Sequence, residues 1–166
     1  MIRQWLGSLQ GRNAVWLLIA LVIVVVDQWS KHLVSSSLFL GQRVNILPVL
    51  DLIYTRNEGA AFSFLANAGG WQRWFFTAIA LVMSVVLVVW LLRLPVQARW
   101  LPVTLTLVLG GAIGNVIDRI RFGYVEDFIL VYWQGYFFPA FNVADMAITV
   151  GAFMLIMDAF ILSREA

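Results

Sequence analysis

Cysteine is missing from the 166 residues, and histidine and lysine occur once each, as His32 and Lys31. Without cysteine there is no disulfide, no thiolate metal site and no thiol nucleophile, and little follows about compartment. One histidine is too few for a histidine-based zinc site. A Ser–His pair would need His32 beside a serine on a strained elbow, and no G-x-S-x-G occurs. A Ser–Lys pair could use only Lys31. Charge is scarce as well: 12% of the residues are Asp, Glu, Lys or Arg, against about 25% in soluble domains. The net charge of +2 comes without a basic cluster, so nucleic acid is not an expected partner. No internal repeat and no low-complexity linker is visible. The first apolar run follows Arg3 and Arg12 as a signal peptide's would, but it ends in "DQWSKH" rather than a small-residue cleavage site. It reads as a retained helix.

What the chain has in abundance is apolar surface, at 62% hydrophobic residues. That composition describes an integral membrane protein, read here as a single domain over residues 1–166. Four apolar segments, about 14–33, 73–93, 99–119 and 141–162, each reach the ~20 residues that a ~30 Å hydrocarbon core requires. Trp16, Trp29, Trp71, Trp74, Trp90 and Trp100 mark the ends of the first three, as an aromatic belt does. Four spans put both termini on one side. Arg3, Arg12, Arg93, Arg99 and Arg164 crowd the short segments of that side, whereas Lys31, Arg43, Arg56, Arg73, Arg119 and Arg121 spread over long loops on the other. The density places the termini in the cytoplasm. Of the outer loops, about 35–72 and 120–140, the first carries "GQRVNILPVLDLIYTRNEGAAFSF" (residues 41–64). Its alternation and β-branched content predict short strands or a hairpin lying on the membrane. The second carries "RIRFGYVEDFILVYWQGYFFP" (residues 119–139), aromatic and mixed, and is expected to be ordered and interfacial. The predicted fold is all-α, four transmembrane helices with a small β-rich extracytoplasmic cradle in the first outer loop. Almost nothing lies on the inner side, so any activity belongs to the outer face.

The polar residues of the spans are not scattered. "GNVIDR" (residues 114–119) puts Asn115, Asp118 and Arg119 at i, i+3 and i+4, on one helix face. "FNVAD" (residues 141–145) does the same for Asn142 and Asp145, and Asp27 with Lys31 are i and i+4. "YVEDF" (residues 124–128) adds Asp127. Asp27, Asp118, Asp127 and Asp145 therefore fall at one membrane depth, four of nine acidic residues. Each has a plain reading. Asp27 and Lys31 can be an interfacial pair anchoring a helix. Asp118 and Arg119 can be a helix-end network, Asn142 an N-cap, and Asp127 a surface charge. Asp145 is harder to dismiss, because a carboxylate in a membrane segment is costly and functional by default. Asp158 lies thirteen residues further on, ~20 Å along the helix at 1.5 Å per residue. It belongs to the inner side, as a snorkelling or packing residue. His32 reads as an interface residue.

Two carboxylates that meet in a partly dry site cannot both ionise easily, so one keeps a proton. Such a pair can activate water as base and protonate a leaving amine as acid. That chemistry hydrolyses peptide bonds without metal, thiol or histidine. A small transporter using carboxylates as a proton relay is the competing class; it would be expected to show repeats and broken helices near the midplane, and neither is visible. The residues alone do not separate Asp118 from Asp127 as the second carboxylate.

Taken together, "DQWSK" (residues 27–31), "NEGAAFSF" (57–64), "GGAIGNVIDR" (110–119), "GYVEDF" (123–128) and "FPAFNVADMAITVG" (138–151) resemble the bacterial lipoprotein signal peptidases, signal peptidase II, over nearly the whole chain. "NEG" or "VEDF" alone would be weak; order, spacing and placement at span ends make the set specific. The resemblance implies an intramembrane aspartyl endopeptidase of the bacterial inner membrane, with its site near the periplasmic face. It would cleave the signal peptide of diacylglyceryl-modified prolipoproteins just before the lipidated cysteine. It implies Asp127 and Asp145 as the catalytic pair, with Asn115, Asp118, Arg119 and Asn142 in support. Asn57, Asp27 and the adjoining Lys31 match further motif positions that support the site or contact substrate. No metal and no cofactor are implied; the partners are the prolipoprotein and membrane lipid, and the protein is expected to be a monomer. Glu126 departs from the family pattern, where an apolar residue is more usual. If it points inward, a third carboxylate could raise the pKa of the pair.

Overall fold

A computed structural model describes residues 11–58 and 71–160. After a short 3-10 turn (Gly11–Ala14) the chain forms α1 (Val15–Ser37), β1 (Arg43–Leu47), β2 (Leu50–Asn57) and α2 (Trp71–Arg93). Then follow α3 (Trp100–Arg121), β3 (Val125–Trp133), β4 (Tyr136–Phe137) and α4 (Val143–Phe160). Arg3, Arg164 and positions 59–64 of the first-loop motif lie outside the described residues.

All four helices are long and apolar enough to cross a membrane. Leu18 and Val22 on α1, Val82 and Val85 on α2, and Phe153 and Ile156 on α4 stay exposed. In water such continuous apolar surface would mark an aggregation or docking patch; in a bilayer it is the lipid-facing side. The helix α3 differs. It is 56% buried along its span, against 28% for α1, 22% for α2 and 17% for α4, and it packs against all three. Small residues permit this central position. A Cβ at Gly111 would collide with the Ala144 carbonyl oxygen, and one at Gly114 would lie 2.6 Å from an Asp27 carboxylate oxygen. The first obstacle is backbone and cannot swing aside, so Gly111 sets how closely α3 approaches the start of α4.

At the end remote from the sheet, Ala20, Leu87, Leu91, Leu94, Leu105 and Leu109 form a buried apolar core. Buried Asn13 donates there to the carbonyls of Leu91 (3.3 Å) and Leu94 (2.7 Å). Leu91 lies in the last turn of α2 and Leu94 just past its end, where carbonyls lack their full helical partners. At the opposite end α3 stops at a left-handed glycine, Gly123 (φ 90°). The N–H groups of Phe122 and Gly123 bond back to the carbonyls of Asp118 (2.8 Å) and Arg119 (3.1 Å), a closure that favours glycine. The chain turns directly into β3.

The strands form one antiparallel arrangement in the order β1-β2-β3-β4. Thr55 pairs with Asp127, Arg56 with Glu126 and Asn57 with Val125. The sheet thus extends past the first outer loop: the second loop supplies β3 and β4. "VEDFILVYW" is rich in residues that suit strands. Its first four positions are buried without alternation, which removes the period-two signal of a half-exposed strand. Beyond the hairpin the chain returns to β3. Phe141 donates to the Ile129 carbonyl (3.0 Å) and accepts from the Ile129 N–H (2.8 Å). The next residue, Asn142, opens α4.

Candidate active site

The first turn of α4 organises the polar cluster. Asn142 Oδ1 accepts the backbone N–H of Asp145 at 2.9 Å, which is N-cap geometry. Its Nδ2 must then face the other way, and it donates to Asp127 Oδ1 at 2.7 Å. The Glu126 carbonyl (3.2 Å) and Asn115 Oδ1 (3.4 Å) lie within reach of the same nitrogen. Asn57, at the end of β2, donates to Asp127 Oδ2 at 3.1 Å. Asn115, on α3, donates to Asp145 Oδ1 at 2.7 Å. Asp127 on a strand and Asp145 on a helix are thus joined through two side-chain amides.

Asp127 is 2% exposed. Burial, and after it the negative charge of Asp145, push its carboxyl up to about 7, against the Asn57 and Asn142 amides and the Lys31 ammonium, which favour its charged form. Asp127 borders a polar hollow of about 370 Å³ with Thr55, Arg56, Asn57 and Glu58. Asp145 borders an apolar groove of about 480 Å³ with Phe138, Phe141, Met146 and Val150. Pro139 and Ala140 wall both.

Behind the aspartates lies a buried charge triad. Lys31 Nζ is 2.7 Å from Asp27 Oδ2 and 2.8 Å from Asp118 Oδ2, and all three side chains are at most 2% exposed. The interfacial reading of Asp27 and Lys31 is therefore corrected: the i,i+4 pair faces α3, where Asp118 completes it. Asp27 Oδ1 accepts the Ala144 N–H at 2.8 Å, one of the donors a helix leaves open at its first turn. Asp118 Oδ2 accepts the Glu126 N–H at 3.3 Å and its Oδ1 accepts from Gln28 at 2.7 Å. Both oxygens of Asp118 are thereby engaged, whereas Asp127 and Asp145 border open hollows. Arg119 donates weakly to the Asn115 carbonyl (3.4 Å), with its guanidinium 5.9 Å from the Phe76 ring centre. Among the described residues no three His, Cys, Asp or Glu side chains are grouped to hold a metal ion.

A family model described as Signal peptidase (SPase) II matches residues 19–161. The chain belongs to the signal peptidase II family. The lipoprotein signal peptidase of Acinetobacter baumannii (strain ATCC 17978) is 50% identical over 153 residues, 92% of this chain and 87% of the relative. That of Pseudoalteromonas translucida is 52% identical over 151 residues, 91% of each chain. A bacterial membrane enzyme solved by the in meso method at 2.3 Å resolution superimposes with a TM-score of 0.76 at 32% identity, covering 88% of this chain and 87% of its own. The protein is a multi-pass membrane peptidase of the signal peptidase II family.

For this member of the signal peptidase II family, Asn57, Asn115, Asp127, Asn142 and Asp145 share one hydrogen-bonded network with Asp27, Lys31 and Asp118. Sequence reasoning missed Gln28. It lies next to Asp27 in "DQWSK", and its role depends on Asp118 and the Gly114 carbonyl (3.2 Å) across the helix interface. Glu126 does not point toward the pair. The Tyr54 hydroxyl donates to its Oε1 at 2.9 Å, on the opposite face of β3 from Asp127, as strand alternation requires.

Proposed function

We propose that the chain is an aspartyl endopeptidase that cleaves the signal peptide of diacylglyceryl-modified prolipoproteins just before the lipidated cysteine. The observation that carries this reading is the linkage of Asp127 and Asp145 through Asn142 and Asn115 where a polar hollow meets an apolar groove. Curated relatives at 50% identity or more carry the name lipoprotein signal peptidase. The substrate enters sideways from the bilayer with its helix unwound near the cut. Its extended peptide follows the polar hollow and its acyl chains the apolar groove. The pair holds one water and one proton. The ionised carboxylate takes a proton from the water as it attacks the scissile carbonyl. The protonated carboxyl polarises that carbonyl, and a proton then passes to the leaving amine. Asn57, Asn142 and Arg119 hold neighbouring groups in place.

We place the termini in the cytoplasm and the pair near the periplasmic face of the inner membrane, following the arginine density of the sequence. The test is incubation of purified protein in detergent with a diacylglyceryl-modified prolipoprotein, with the products mapped by mass spectrometry. Cleavage immediately before the lipidated cysteine is expected, and an intact substrate with well-folded enzyme would overturn the proposal.

A proton shared by the pair is lost as pH rises through about 7, the value to which Asp127 is pushed. The rate should fall on that side. Asn57→Ala removes a donor that favours the charged carboxylate, so the proton is held to higher pH. The alkaline limb of the kcat/KM profile should move upward by about one unit. An unmoved or lowered limb would separate Asn57 from the titration of Asp127.

A further inference from the structure

Resting on the reading of Asp127 and Asp145 as the reacting pair, we propose that Lys31, which touches neither, fixes which way the Asn115 amide faces and so aims an N–H at Asp145. An ammonium carries three donors and no acceptor. Lys31 Nζ has three acceptors around it, Asp27 Oδ2 at 2.7 Å, Asp118 Oδ2 at 2.8 Å and Asn115 Oδ1 at 3.2 Å. With Oδ1 turned to the ammonium, Asn115 presents Nδ2 on its other side, 2.7 Å from Asp145 Oδ1. A flipped amide would set its N–H groups against the ammonium and its oxygen against the carboxylate. Two attractive contacts would turn repulsive together, in a site shielded from water where each counts for more.

Asn142 is keyed by its own helix, because its oxygen accepts the Asp145 backbone N–H at 2.9 Å; its Nδ2 also reaches Asn115 Oδ1 at 3.4 Å, a longer contact than the one Lys31 makes there. Each aspartate therefore receives an N–H from an amide whose orientation is set elsewhere. The pocket of Lys31 is itself tied to the segments that carry the aspartates. Asp27 accepts the Ala144 N–H at 2.8 Å, and Asp118 accepts the Glu126 N–H at 3.3 Å. Lys31 is a positioning residue: it acts on Asp145 through Asn115.

The test is a double-mutant cycle in an Asp118→Asn background, which relieves the buried charge that loss of Lys31 would expose. Lys31→Met removes the ammonium. Asn115→Ala removes both the oxygen at Lys31 and the N–H at Asp145, without adding a charge beside the aspartate. Cleavage of a diacylglyceryl-modified prolipoprotein is measured in detergent. Each substitution alone should lower kcat roughly ten- to a hundredfold, with KM little changed. Together they should lower it no further than Asn115→Ala alone, because both act through one N–H. Multiplying losses, or a loss carried by KM, would show that Lys31 only supports the fold and would overturn the proposal. If the Lys31→Met proteins do not fold, Lys31→Gln in the Asp118→Asn background decides: its N–H₂ can still donate to Asn115, so kcat within a few-fold of that background supports the proposal, and a loss as large as that of Asn115→Ala overturns it. Wild-type protein that cleaves nothing, or an active Asp145→Asn, would instead remove the reading of the pair. Native kcat in Asn115→Ala beside an inactive Asp145→Asn would remove only the role given to Lys31.

Discussion

Asp127→Asn and Asp145→Asn should each slow cleavage by about 10²–10⁴-fold, and the double variant should be no slower than the worse single one. Groups that act as a unit lose their function once, whichever member is removed. The two variants differ in what they do to the fold. Asp145 accepts one side-chain N–H, from Asn115, so an asparagine at 145 can turn its oxygen to that donor and leave the site intact. Asp127 accepts from Asn57 on one oxygen and from Asn142 on the other. An asparagine there must set its own N–H₂ against one of the two. Asp127→Asn is therefore expected to unfold at a lower temperature than wild type, and Asp145→Asn at nearly the same one. Cleavage assays beside thermal unfolding in detergent measure both effects. Native activity in either variant would end the proposal of a two-aspartate mechanism.

Lys31→Met in the otherwise native chain should destabilise the protein by about 3–5 kcal/mol. The side chain is 2% exposed between two carboxylates that are themselves buried. Removing the ammonium leaves two carboxylates, each at most 1% exposed, without a counter-charge. Those carboxylates also fasten α1 to α3 and to the first turn of α4 through the Ala144 N–H, so the damage should reach beyond the triad. Adding Asp118→Asn should recover a large part of the loss. Equilibrium unfolding in mixed detergent gives the comparison. A Lys31→Met protein as stable as wild type would mean that the triad is solvated and that its burial has no energetic weight.

The four spans could be read directly because a bilayer demands length and apolarity, and little else satisfies that demand. The helical spacing of Asn115 with Asp118, and of Asn142 with Asp145, likewise places polar groups at span ends without reference to any contact. Other features depend on partners distant in the chain. An Asp–Lys pair at i,i+4 looks the same on a wet surface as in a core, and only Asp118 distinguishes the two for Asp27 and Lys31. The strand β3 does not declare itself in the sequence, because its opening residues are covered on both faces and do not alternate. The direction of Glu126 needed the strand register. Gln28 was invisible because its acceptors lie on another helix.

The return of Phe141 to Ile129 separates two properties that one loop might otherwise have coupled. The hydrogen-bonded route from Asp127 to Asp145 crosses from Ile129 to Phe141 and enters Asn142, bypassing residues 130–140. Within that detour, Phe138, Pro139 and Ala140 form walls of the hollows beside the aspartates. Lengthening, shortening or rewriting the part of the detour beyond β3, residues 134–140, can thus reshape what fits against the pair without altering the spacing of the pair itself. Selectivity is free to drift there while the chemistry is held constant by the short circuit at its base.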